Sequence, residues 1–142
     1  MIARALTLTV VLLAFPAAAD QFKSFDDVEV HYAVVNTLFL QPDVAAHYGI
    51  VRGKDRAIVN LSVLGHDGVA LLADVTGTAV NLLSQQAPLQ FSVIREGDAI
   101  YYIASITYTD QDVLRFRIAV NAPDRAPMNL EFQQQMFVEP GK

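Results

Sequence analysis

Alternation of apolar and polar residues dominates this chain. Leu114, Phe116, Ile118 and Val120 interleave with Arg115, Arg117 and Ala119, the period of a strand with one buried face. Leu89, Phe91 and Val93 alternate with Gln90, Ser92 and Ile94 in the same way. Between them, Ile100 to Tyr108 is rich in β-branched and aromatic residues, which suit a pleated surface. The linking segments Glu96-Gly97-Asp98 and Asp110-Gln111-Asp112 carry residues that tolerate turn dihedrals. These features predict a three-stranded antiparallel meander from Leu89 to Val120, to which the rest of the chain adds strands. The middle strand is apolar on both faces: Tyr101 and Ile103 back onto Tyr102, Ala104 and Ile106. Such a strand is usually central and covered on both sides. Tyr101 and Ile103 are therefore expected to lie under another part of the chain, or else to form an interaction surface.

The same reading extends outward. Gln21 to Phe25 is expected as a short first strand, and Val28, Val30, Tyr32 and Val34 point inward on a second that runs to about Leu40. Pro42 and Asp43 open a turn or two of helix, closed by Gly49, and this helix is the candidate cover for Tyr101 and Ile103. Ile58 to Leu64 is a strand, Gly65-His66-Asp67-Gly68 a hairpin turn, and Val69 to Leu83 its long return, with Gly77 marking a bulge or close backbone approach. Ser84 to Pro88 reads as a loop, Asn121 to Met128 as an irregular connection and Asn129 to Val138 as the last strand. The pattern predicts an all-β fold: a single antiparallel immunoglobulin-like β-sandwich of roughly seven or eight strands with one short helix.

The first nineteen residues read differently. Arg4, the apolar run Ala5 to Phe15 and the small residues Pro16-Ala17-Ala18-Ala19 have the form of a secretory signal peptide cut between Ala19 and Asp20. The apolar run is too short to span a bilayer, so no stable membrane insertion is expected after cleavage. With no cysteine in the chain, disulfides, lipidation and thiol nucleophiles are excluded. The expected product is a periplasmic β-sandwich domain over residues 20–142. Ten Lys and Arg face fifteen Asp and Glu, a net charge of −5, which losing Arg4 takes to about −6. An acidic surface argues against nucleic acid and anionic leaflets as partners.

Several blocks carry a family resemblance: Gln21-Phe22-Lys23, Glu29-Val30-His31-Tyr32, Phe39-Leu40-Gln41-Pro42, Tyr48-Gly49-Ile50-Val51-Arg52, Asn81-Leu82-Leu83 and Ile94 through Ala104. With these the chain resembles domain of unknown function 4426, a family of small exported proteobacterial proteins. The resemblance implies an exported, single-domain protein and brings no activity with it.

Candidate chemistry is sparse. His31, His47 and His66, with Met128 and Met136, would be the residues of a copper or zinc carrier, but no ligand spacing such as H-x-H or M-x-M joins them. No serine sits in a nucleophile elbow. Glu96 and Asp98 are expected at a solvated turn tip, without the burial that tunes a catalytic acid. No cofactor is expected. Tyr and Arg are the residues most used as binding anchors, and His31, Tyr48, Arg52, Arg56, Arg95 and Tyr101, with Ile103, are more than a plain sandwich core requires. They suggest a cleft where the segment 42–56 folds over Tyr101. The leading reading is a non-enzymatic binding or adaptor module of the cell envelope, its partner an envelope protein, a small ligand or a second copy of the chain. A metal-handling protein and a small hydrolase are the alternatives.

Overall fold

The computed structural model describes residues 21–140, so the expected signal peptide and its cleavage point lie outside the described residues. Among the described residues nine strands form: β1 Phe22–Phe25, β2 Val28–Asn36, β3 Arg56–Gly65, β4 Asp74–Val80, β5 Gln86–Leu89, β6 Ser92–Glu96, β7 Ala99–Thr107, β8 Val113–Asn121 and β9 Met128–Gln135. Between β2 and β3 stand a 3-10 turn, Thr37–Phe39, and one helix, α1, Pro42–His47. The strands make a five-stranded sheet, β1-β2-β3-β7-β6, and a four-stranded sheet, β5-β4-β8-β9, antiparallel throughout. The expected all-β antiparallel sandwich with one short helix is the fold observed. Among the described residues no helix is long and apolar enough to cross a membrane.

The core lies between the sheets. Val30, Val59, Leu61 and Tyr102 meet Phe116, Ile118, Val120 and Leu130 there. Tyr32 stacks on Phe132 and Phe132 on Phe116, with ring centroids 4.2 and 4.8 Å apart, so one aromatic column crosses the interior. Tyr102 is 1 % exposed, yet its hydroxyl accepts from the backbone N–H of Ala73 and donates to the carbonyl of Leu71, at 2.8 and 2.9 Å. The β3–β4 connection is thereby tied to the centre of the five-stranded sheet.

The expected meander is corrected. β6 and β7 do form a hairpin, but β8 pairs with β4 and β9 in the opposite sheet. Residues 89–93, expected as part of one strand, belong to two: Leu89 ends β5 in the four-stranded sheet and Ser92 opens β6 in the five-stranded one. That split, with β5 itself standing in an expected loop, brings the strand count to nine. The physical reason is that both sheets share one core. Alternation reports which side chains face that core and persists when the chain changes sheet. The turn acids help to build the corner: Thr109 donates from its backbone N–H and its hydroxyl to the Asp112 carboxylate, each at 2.9 Å, while the Asp110 carboxylate accepts from the backbone of Val138. The Gly65–Gly68 turn likewise leads into a single bridge, Leu64 to Ala70, before the chain leaves for β4. The close approach expected at Gly77 is present, because a β-carbon there would lie 2.6 Å from the carbonyl oxygen of Arg117.

A polar clamp closes the long excursion between β2 and β3. Thr37 is fully buried; its hydroxyl oxygen accepts from the Gly53 N–H at 2.9 Å and faces the carbonyls of Gly53 and Arg56. Asn36 donates to the Lys54 carbonyl and to the Tyr108 hydroxyl, at 2.9 and 2.7 Å, and accepts from the Leu38 N–H. Both feet of the excursion are thus fixed to the end of the sheet.

Two outcomes test this packing. Gly77→Ala should destabilise the fold by about 1–3 kcal/mol through forced displacement of β8, measured by urea unfolding. Burial pushes the Tyr102 and Tyr108 hydroxyls above their ordinary value of 10.0. The unfolded chain therefore loses these protons first. Stability should be intact below about pH 10 and fall above it, by up to about 1.4 kcal/mol per pH unit for each tyrosine. Tyr102→Phe should lower neutral-pH stability by about 1–3 kcal/mol and flatten that alkaline loss, whereas an unchanged alkaline limb would disprove the assignment.

Candidate functional site

The excursion between β2 and β3 lies over the outer face of the five-stranded sheet. Pro42 opens α1 at a position where its missing N–H is not needed. The exit is a Schellman arrangement: the Ile50 N–H reaches the Ala45 carbonyl at 2.8 Å and the Gly49 N–H reaches that of Ala46 at 3.2 Å, with Gly49 at a left-handed φ of 67° that a side chain would oppose. A six-residue helix has no stability of its own. It is held by a second, small apolar cluster in which Leu40, Ala45 and Ile58 are buried and Val35, Ile50 and Ile103 pack at the margin. Burying Leu40 alone contributes on the order of 1.5–3 kcal/mol.

Between α1 and the sheet remains a pocket lined by Leu40, Val44, Tyr48, Ile50, Ile58, Asn60, Ile94, Glu96, Tyr101 and Ile103. Its volume of about 20 Å³ is room for one water. Six of the lining residues are aliphatic. At the mouth, Tyr48 donates its hydroxyl hydrogen to the Glu96 carboxylate, joining the end of α1 to the end of β6. That hydrogen bond, and then partial burial, hold the Tyr48 hydroxyl above its ordinary pKa. At the floor, Asn60 sits on β3 between Ala33 of β2 and Ile103 of β7. Its Oδ1 is buried and has no hydrogen-bond partner in the protein.

The model of the family called domain of unknown function (DUF4426) matches residues 22–139. The chain belongs to the DUF4426 family. A crystal structure of a DUF4426 family protein from Pseudomonas aeruginosa PAO1 is 34 % identical, with a TM-score of 0.78, over 85 % of this chain and 97 % of that one. Two more distant solved structures are FetP from uropathogenic Escherichia coli strain F11 and a copper-bound variant of the same protein. They are 10 and 11 % identical, with TM-scores of 0.59 and 0.57; the matches cover 85 and 82 % of this chain and 95 and 94 % of theirs. At that identity the likeness is one of fold. No curated protein matches the chain.

Of the residues singled out in the DUF4426 sequence, the structure brings Tyr48, Tyr101 and Ile103 together in the pocket. Arg52 is exposed and turns back to the carbonyl of Leu38 at 3.2 Å. Arg95 alternates with Ile94 and Glu96 and so points to the other face of β6. Arg56 lines a separate cleft beside β5 with Ser105 and Asp112. His31 shares the outer face of the sheet but lies two strands from Tyr101; its ring is 3.0 Å from the Glu29 carboxylate and stacks on Phe22. His47 ends α1, its ring edge-on to Tyr48, and His66 stands in the β3–β4 turn. Among the described residues no three His, Asp or Glu side chains gather as a metal site.

Asn60 and the partnering of Glu96 escaped the sequence reading. A polar residue on the outer face of a strand is ordinary, and Glu96 beside a Gly-Asp turn has a backbone explanation. The signal for both was the apolar outer face of β7, which implied a covering segment and therefore a boundary where polar groups meet it. Tyr48→Phe and Glu96→Gln should each leave global stability within about 1.5 kcal/mol, yet speed hydrogen exchange at Gly49 and Ile50 several-fold. Exchange rates unchanged in both variants would show that this contact does not hold α1.

Proposed function

We propose that this DUF4426 protein is a non-enzymatic binding or adaptor module of the cell envelope, exported to the periplasm, and that it binds a partner or small ligand in the cleft between α1 and the outer face of β7. The observation that carries the reading is the pocket itself. It is largely apolar, lined by two tyrosines, and polar only at mouth and floor, the composition of a recognition site rather than of a filled core. Glu96 is the one carboxylate among its lining residues, and Tyr48 engages it at an exposed position. Acid–base chemistry favours a second group and exclusion of water.

The export reading rests on the leader-like residues 1–19. The copper-bound FetP variant raises metal handling as a second reading for this chain. The separation of His31, His47 and His66 on a strand, a helix and a turn weighs against it.

Native mass spectrometry of the protein purified from the periplasm tests both. The expected result is a chain beginning at Asp20 that carries a non-metal adduct, with retention reduced about thirtyfold in a Tyr101→Ala, Ile103→Ala double variant. Each side chain then withdraws apolar contact on the order of 1 kcal/mol or more. A stoichiometric copper or zinc ion would replace this reading with the metal one.

A further inference from the structure

Asn60 occupies a costly position. It lies in the middle of β3, hydrogen-bonded as a strand on both sides, with Ile58 buried to one side of it along the outer face. Its Oδ1 is the one side-chain polar atom among the described residues that is buried without a partner. An acceptor left so in apolar surroundings destabilises the protein, while an aliphatic residue of the same size would not. One water fits the pocket, but a buried water needs two to four polar partners. The Tyr48 hydroxyl hydrogen is already given to Glu96, which leaves the free lone pairs of that carboxylate and the Tyr101 hydroxyl as the other polar groups of the lining.

We propose that Asn60 Oδ1 is the polar anchor of a ligand site, and that the ligand is a slim amphiphile: a hydrocarbon body bearing one O–H or N–H donor at its leading end. The donor seats on Asn60. The body lies along Ile58, Ile103, Val44 and Leu40. The Tyr48–Glu96 pair is the latch that parts when α1 moves aside, a movement the pocket requires because its present volume admits nothing larger than water. The feet of the excursion, at Asn36–Thr37 and Gly53–Lys54, stay clamped, and only the small apolar cluster and the latch hold the helix between them. This inference rests on the binding-module reading and names the chemistry that its cleft accepts.

The test uses 1-hexanol and hexane as probes against the mature chain, followed by amide chemical shifts, with Asn60→Leu as the variant. Hexanol should shift the amides of Ile58, Asn60 and Ile103 and bind at least tenfold more tightly than hexane. Asn60→Leu should erase that preference and raise the melting temperature by about 2–4 °C, the release of a buried unsatisfied acceptor. Equal binding of hexanol and hexane to the native chain overturns the anchor without recourse to any variant. So does an Asn60→Leu protein that melts lower than the native one, which would assign Asn60 a structural role. If the Tyr101, Ile103 double variant loses the periplasmic adduct while Asn60→Leu retains it, the anchor fails and the binding-module reading stands. If neither variant affects the adduct and neither probe reaches the pocket, both fall.

Discussion

The structure depends on two buried polar side chains at the end of β2. Asn36 and Thr37 interrupt an otherwise apolar and alternating strand. Between them they make hydrogen bonds to Leu38, Gly53, Lys54 and Tyr108. Tyr108 in turn donates to the Phe137 carbonyl at 2.7 Å. One connected network therefore fixes the exit of β2, the entry to β3, the end of β7 and the segment after β9. Buried polar groups of this kind specify an arrangement more than they add stability, since each mis-paired alternative would strand a donor or acceptor in the core. Here the arrangement specified is the position of the excursion that bears α1.

With its feet fixed, that excursion can cover the sheet by weak forces alone. A six-residue helix with one buried alanine would dissolve in isolation. It is retained because Leu40, Ala45 and Ile50 find Ile58 and Ile103 already presented by two central strands. Position and adhesion are supplied by different parts of the chain, strong polar bonds at the base and modest apolar contact above. Such a division lets the cover loosen without disturbing the sandwich, because the main core between the sheets shares no buried residue with the cluster under α1. It is the construction expected where a surface must be both defined and accessible.

Much of this was legible in the sequence. Alternation found nearly every strand, the Pro42 and Gly49 boundaries found the helix, and the apolar outer face of β7 at Tyr101 and Ile103 announced its cover. What alternation could not convey was partnership. The Leu114–Val120 strand has the same period whether it pairs with β7 or faces it across the core. The corner at Thr109–Asp112 carries turn residues that a hairpin would also use, and what ties it to its surroundings is a bond from Val138, distant in sequence. The arginines misled for a related reason. Arg52 and Arg95 adjoin pocket residues along the chain, but a neighbour on a strand points to the opposite face, and a neighbour on a loop points wherever its backbone turns. Sequence proximity to Tyr48 or Ile94 therefore carried no information about sharing their surroundings.

The distant likeness to FetP sharpens the question of where specificity resides. Two chains at about one-tenth identity keep the same sandwich, so the sheets are a scaffold that tolerates replacement of most side chains, and function must lie in what is placed upon them. In this chain the outer face of the five-stranded sheet carries a helical cover, a latch between the end of α1 and the end of β6, and a central-strand amide whose oxygen has no partner in the protein. Packing alone would have put an aliphatic residue at position 60, as it did at Ile58 and Ile103 beside it. Asn60 stands where the apolar patch of Ile58 and Ile103 gives way to Ser62 and His31, and on the binding-module reading proposed above its unpartnered oxygen answers to something outside the fold.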